Sequence, residues 1–385
     1  MLCAMMRNKI RGLLLLVVVL IAVWFITGSR TVSGVTDFAA YWTASRQLLT
    51  HRDPYARGPV LEMERRLGFR EPLPLIMRNP PWAAPFVLPL GFFQYSTAQR
   101  AWLVVQLAMV GLSVQVLWRI YAKQKRPVWV PWLVTATFVP LAAVLALGQI
   151  GPLILLGISL FLFAQERGWD GLAGASALLI AVKPHVVFLL WPAMLIWSVR
   201  DRRWRLLLVF GASVFMVSAV AIFFDPLIFT HYQELWRDTA IVWSETPTLG
   251  GVLCRMHPGH DWIVWLPAIV AVIWFLLRWM REGGEWSWRG EMPRLLLVSV
   301  AASPYAWFFD QVVLLAALLP IAAMLGYRSA RSVVWPAVTY LAINAAAIAL
   351  ILEQRRTFWY VWTAPAWLLF YVWVTLKLRV APAGD

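Results

Sequence analysis

The sequence predicts an all-α, polytopic integral membrane protein of about twelve transmembrane helices, with interfacial helices in its first outer loop. Three observations lead there. Hydrophobic residues make up 61% of the 385-residue chain and charged ones only 14%, where a soluble domain carries roughly 25% charged residues. Apolar runs long enough to enter a bilayer recur along the whole chain. The Lys and Arg residues also distribute as the positive-inside rule requires.

The first apolar run, Gly12 to Gly28, follows Arg7, Lys9 and Arg11 and precedes no small-x-small cleavage site. It reads as a retained helix with a cytoplasmic N-terminus. Ser29 to Pro81 is the longest polar segment, an outer loop (29–81) too short and too aromatic for a separate domain. Within it, Thr36 to Leu49 puts Phe38, Trp42, Ser45 and Leu49 on one helical face, with Asp37 and Tyr41 stacked beside it. That pattern predicts a helix lying in the membrane interface, ended by the Asp53-Pro54-Tyr55 turn. Pro80 to Phe93 is apolar but short and holds four prolines, so it is expected to re-enter or lie flat.

Spans are then expected at Ala98–Tyr121, Val128–Leu147, Ile150–Gln165, Gly171–Val182, Val186–Val199 and Trp204–Phe224. After an outer loop at 225–260 they continue at Asp261–Met280, Leu295–Phe309, Gln311–Tyr327, Val333–Leu352 and Thr357–Leu376. With the first run this makes twelve, in one membrane domain over residues 1–385 with both termini cytoplasmic. The arrangement places twenty cations inside; outside, beyond the long first loop and its adjoining Arg100, only Lys183, Arg237, Arg255, Arg355 and Arg356 remain. The net charge of +15 is thus a topology signal and not a nucleic-acid footprint. Cys3 and Cys254 fit neither a metal spacing nor a disulfide framework. His231, His257 and His260 lack a paired carboxylate motif, so no metal is expected. No phosphate-binding glycine loop, dinucleotide turn or nucleophile elbow is present, and no cofactor is implied.

Polar groups that solvation does not explain gather at the outer junctions. Asp37, at the start of its helix, reads either as a helix cap or as a base at the lipid–water boundary. Lys183-Pro184-His185 lies in the apolar stretch Leu178–Leu190, where a charge costs at least ~2.5 kcal/mol. With no acid nearby in sequence, a ligand phosphate is one partner for Lys183; the other reading is a lysine snorkelling from a broken hairpin. Asp310 pairs with Lys183 or an Arg, or binds substrate, Gln149 in Gly148-Gln149-Ile150-Gly151 is a turn residue or a ligand, and Arg78-Asn79-Pro80-Pro81-Trp82 is an interfacial stop or a sugar cradle.

Taken in order, Asp37-Phe38-x-x-Tyr41-Trp42, Asp53-Pro54-Tyr55, Asn79-Pro80-Pro81-Trp82, Gly148-Gln149-x-Gly151, Lys183-Pro184-His185 and Ser303-Pro304-Tyr305 followed by Asp310 resemble glycosyltransferase family 87. This is a branch of the C superfamily of membrane glycosyltransferases. The resemblance implies transfer of a sugar, often mannose, from a polyprenyl-phosphate carrier to a lipid or glycan acceptor on the extracytoplasmic face of the plasma membrane, in assembly of the cell envelope. It implies that Asp37 is the base. Donor phosphate and sugar would meet Lys183, His185, Asn79, Gln149, Tyr41 and Asp310. A phosphate leaves as an anion without needing a proton, so one carboxylate and a cation suffice for inverting displacement. The rival class is a transporter or flippase of lipid-linked sugars, which also needs intramembrane charge and broken helices.

Overall fold

The computed structural model describes residues 35–122, 127–239, 241–326 and 330–380. The expected first span, Gly12–Gly28, lies outside them. Among the described residues every regular element is helical, as expected.

The first described helix, α1 (Phe38–Leu49), forms where the apolar pattern places it. Ten of its twelve residues are buried against the rest of the chain. Ala39, Ala40, Ala44 and Ser45 make it slim enough to be enclosed. The Pro81–Phe92 run of short helical turns closes over it, with Ser45 donating to the Val87 carbonyl at 2.7 Å. A turn later the loop forms a second helix, α2 (Arg57–Arg66). There Glu64, wholly buried, accepts the Leu75 N–H on both carboxylate oxygens at 3.1 Å.

Long helices follow: α3 (Tyr95–Tyr121), a pair α4 (Val130–Ala136) and α5 (Val139–Leu147) bent by 60°, and α6 (Gly151–Glu166). Next come α7 (Asp170–Ile180), a non-helical crest with a short 3-10 turn at Pro184–Val187, α8 (Leu190–Arg200) and α9 (Trp204–Phe224). The segment between α9 and the next long helix holds α10 (Ile228–Asp238) and α11 (Leu249–Met256). The chain then runs through α12 (Leu266–Glu282), α13 (Trp288–Ala302), a 3-10 stretch Phe308–Leu314 leading into α14 (Leu315–Leu325), α15 (Ala330–Leu352) and α16 (Thr363–Val380).

Among the described residues six helices are long and apolar enough to cross a membrane, seven if the bent pair counts as one span. Four expected spans fall short of the roughly 20 residues a crossing needs: α6 has 16 residues, α7 and α8 have 11 each, and α13 has 15. Composition missed this because it does not separate lipid-facing helices from interior ones. α9 buries only Leu206 and Ala221 and presents Phe215 and Phe223 outward, whereas α6 buries eleven of its sixteen residues. An interior helix can stop short because its ends meet protein.

The break before α6 positions the rest. Gly148 has φ +70°, and a Cβ there would lie 2.7 Å from Phe38 Cβ; a Cβ on Gly151 would lie 2.8 Å from Val312. These two glycines let α1 and the 308–314 stretch approach the same turn. Gly148→Ala is therefore expected to destabilise the fold by at least about 2 kcal/mol, from left-handed strain plus overpacking. Gly211→Ala on α9, where a Cβ meets nothing within 4 Å, should be neutral or stabilising by up to ~1 kcal/mol. Thermal unfolding in detergent, followed by tryptophan fluorescence, checks both.

Candidate functional site

Four segments far apart in sequence converge at the Gly148–Gly151 turn. Asp37 precedes α1 yet makes no side-chain cap bond, so the helix-cap reading finds no hydrogen bond to support it. Instead its Oδ2 accepts from Gln149 Nε2 at 2.8 Å. Gln149 Oε1 in turn accepts from the Tyr41 hydroxyl at 2.8 Å and from Lys183 Nζ at 3.2 Å. Lys183 Nζ completes the line at 2.8 Å from Asp310 Oδ1. The other Asp310 oxygen takes the Trp307 N–H at 3.0 Å.

Lys183 thus finds its anion inside the chain, at Asp310. Both are buried, Asp310 with 1% exposure and Lys183 with 8%, and the Phe309 ring lies 5.0 Å from Nζ. No acid is near in sequence, since the partner stands 127 residues away, and of the two readings of Asp310 the pairing with Lys183 is the one found.

Most remaining polar groups hold broken backbone. Each interruption of a helix in an apolar interior frees carbonyls that need donors. Asn79 donates to Val182 O at 2.8 Å and Trp82 to Ala181 O at 2.9 Å. The Arg78–Trp82 segment is therefore a brace for the crest around Lys183. Trp102 donates to Gly148 O at 2.8 Å and Gln106 to Gln149 O at 2.7 Å. Trp102 and Gln106 escaped sequence reading. Their only signal was a polar amide and an indole four residues apart inside an apolar span.

His185 sits apart from this line. It lines a cavity of about 720 Å³ with Trp236, Trp243, Trp265, Pro304 and Tyr305, its ring 5.3 Å from that of Tyr305. Its Nε2 is buried without a hydrogen-bond partner among the described residues. Asp37 and Lys183 do not line that cavity. Arg78 Nη1 is likewise buried and without a partner among them, with the guanidinium 5.5 Å from the Trp236 ring.

Asp37 itself is half-buried. Burial holds its carboxyl above the usual range, a rise opposed by the Gln149 hydrogen bond and the Lys183 charge and reinforced by Asp310. Among the described residues only Gln149 hydrogen-bonds this carboxylate. A partly exposed carboxylate, raised in basicity and oriented by one amide, can accept a proton from a bound hydroxyl.

No curated protein and no solved structure matches the chain. The sequence model of glycosyltransferase family 87 does match, over residues 78–304. The matched stretch contains Asn79, Gln149, Lys183 and His185, while Asp37, Tyr41 and Asp310 lie outside it but in contact with it through the bonds above. Since the match spans more than half of the 385 residues, the chain belongs to glycosyltransferase family 87.

Proposed function

We propose that this membrane glycosyltransferase moves a sugar, mannose being the first candidate, from a polyprenyl-phosphate donor to an acceptor hydroxyl on the extracytoplasmic face, by single inverting displacement with Asp37 as base. The observation that carries the reading is the Asp37 carboxylate, which starts a helix without capping it and has only one hydrogen-bond donor among the described residues. In the proposed step Asp37 takes the acceptor O–H proton while the acceptor oxygen bonds to the anomeric carbon. The carbon–oxygen bond to phosphate breaks, and polyprenyl phosphate leaves with the electron pair. Tyr41 and Gln149 orient the base. Lys183, with Asp310 beside it, and Arg78, one residue before Asn79, face the developing phosphate charge. His185 and the aromatic cavity receive the donor or the acceptor. The twelve-crossing topology, with cytoplasmic termini and the Asp37 side outward, belongs to the same proposal and is supported by the distribution of Lys and Arg.

The deciding variant is Asp37→Asn, assayed in lipid with polyprenyl-phosphate sugars and candidate acceptors. A base reading expects turnover to fall at least ~10²-fold. Wild-type activity with a folded, donor-binding Asn variant near wild-type turnover would end the assignment. Turnover by the wild type also separates transfer from flipping, and the accepted sugar identifies the donor.

Stability should move the other way. A carboxyl raised by burial binds its proton more tightly folded than unfolded. Its stabilising contribution is present below the unfolded pKa of ~3.9 and is lost as pH rises through the folded value. Asp37→Asn should therefore unfold at a higher temperature than wild type at neutral pH, and the gap should close below about pH 4.

Lys183→Ala should cost about 3–5 kcal/mol, because it leaves Asp310 buried and unpaired. A double variant, Lys183→Ala with Asp310→Ala, should recover much of that stability and still fail to bind polyprenyl-phosphate sugar. If the folded double variant binds donor normally, the pair is architectural. For topology, a background lacking Cys3 and Cys254 should label from outside at cysteines near His257 and only after permeabilisation near Arg203.

A further inference from the structure

A second convergence of polar groups lies at the far end of α1. Asp53 opens the turn that follows this helix, and its Oδ1 accepts the Tyr55 N–H at 2.8 Å. Asp225 ends α9; its Oδ1 accepts the Leu227 N–H at 3.0 Å. Each carboxylate is thereby aimed by a backbone donor. His231, on α10, turns its Nδ1 back between them, 2.8 Å from Asp225 Oδ2 and 3.6 Å from Asp53 Oδ1. One ligand atom from each of the three residues lies within 4.8 Å of the others.

The setting asks for positive charge. Asp225 is 5% exposed, and Glu234, also on α10, adds its negative charge to that of Asp225 at Asp53. Beside the cluster stands Tyr55, 4% exposed, whose hydroxyl is buried with no hydrogen-bond partner. An unsatisfied buried oxygen costs about 1–3 kcal/mol, and a cation or its bound water would satisfy this one.

The two histidine separations suit a first-row divalent ion. Bonds of about 2.0–2.2 Å to nitrogen and oxygen set neighbouring ligand atoms roughly 2.8–3.1 Å apart at octahedral angles and roughly 3.3–3.6 Å apart at tetrahedral ones, and 2.8 Å and 3.6 Å lie at the two ends of that span. One imidazole with two carboxylates suits zinc or manganese over calcium, which prefers all-oxygen sets. We propose that Asp53, Asp225 and His231 form a divalent-cation site, for zinc or manganese, that clips the turn after the Asp37 helix to the α9–α10 junction. The His51 ring, 3.0 Å from the Phe224 carbonyl, already ties the same two segments. The cation fixes α1 at the end opposite Asp37 and takes no part in the reaction.

The experiment uses the full chain without a histidine tag, stripped by a chelator, loaded with zinc sulfate or manganese chloride, and dialysed. Elemental analysis should find about one retained cation per chain and thermal unfolding should move upward. Cobalt loading should give visible absorption bands of nitrogen–oxygen ligation. His231→Gln and Asp225→Asn should each weaken retention at least ~10-fold, while His257→Ala keeps it. Should those variants not fold, Asp53→Asn, at the more exposed ligand, and the wild-type cobalt spectrum still decide. Wild-type protein that holds none of the three metals above background overturns the proposal. So does retention unchanged by His231→Gln or Asp53→Asn. Because these readouts need no turnover, they are independent of the sugar-transfer reading.

Discussion

The Lys183–Asp310 ion pair constrains everything around it. Two charges shut away from water lose several kcal/mol of hydration each, and only close geometry with further hydrogen bonds offsets that loss. Here the pair is completed by Gln149 on the lysine and by the Trp307 N–H on the aspartate. The crest after α7 must therefore stand against the Phe308–Leu314 stretch, and the Gly148–Gly151 turn must bring Gln149 to both. Three breaks in helical structure are locked into one place by one neutralised pair.

Those breaks create a second demand, because non-helical backbone in an apolar interior leaves carbonyls without partners. The chain answers each from a neighbouring element. Ala181 and Val182 receive the indole of Trp82 and the amide of Asn79; Gly148 and Gln149 receive Trp102 and Gln106. Residues that read as sugar-binding or lipid-facing by type are backbone donors by position. The amide of Asn79 is already engaged, so a role toward the donor would have to come from its remaining oxygen.

Much of this was legible in outline. Thr36-Asp37 before an amphipathic stretch marked α1, and Lys183 and Asp310 stood out as charges that an apolar run should not contain. Their pairing stood as one reading of Asp310 among others, and the fold had to decide it, because nothing local links positions 127 residues apart. Hydropathy alone does not count the spans for a related reason: an interior helix such as α6 is as apolar as α9, which faces outward. Hydropathy measures composition, whereas crossing depends on length and on what surrounds the helix. The Asp53, Asp225 and His231 convergence was hidden similarly, since its three residues come from three segments and match no spacing motif.

What the architecture leaves unengaged is more informative than what it uses. Around the site, side-chain polar atoms are tied almost throughout into backbone bracing or into the line from Asp37 to Asp310. Among the described residues the untied atoms include the second oxygen of Asp37, Nε2 of His185 and Nη1 of Arg78, beside Oγ1 of Thr36 and Oε1 of Gln106. A buried polar atom without a partner costs free energy, so such atoms are tolerated where a ligand supplies the missing bond. One carboxylate oxygen suits a hydroxyl proton, a guanidinium N–H suits a phosphate oxygen, and an imidazole nitrogen suits either. That short set supports transfer from a phosphate leaving group to a hydroxyl over transport, which requires only that a cargo be released unchanged. Beside Lys183, whose charge Asp310 shares, Arg78 adds a cation for which the described residues provide no ion-pair partner.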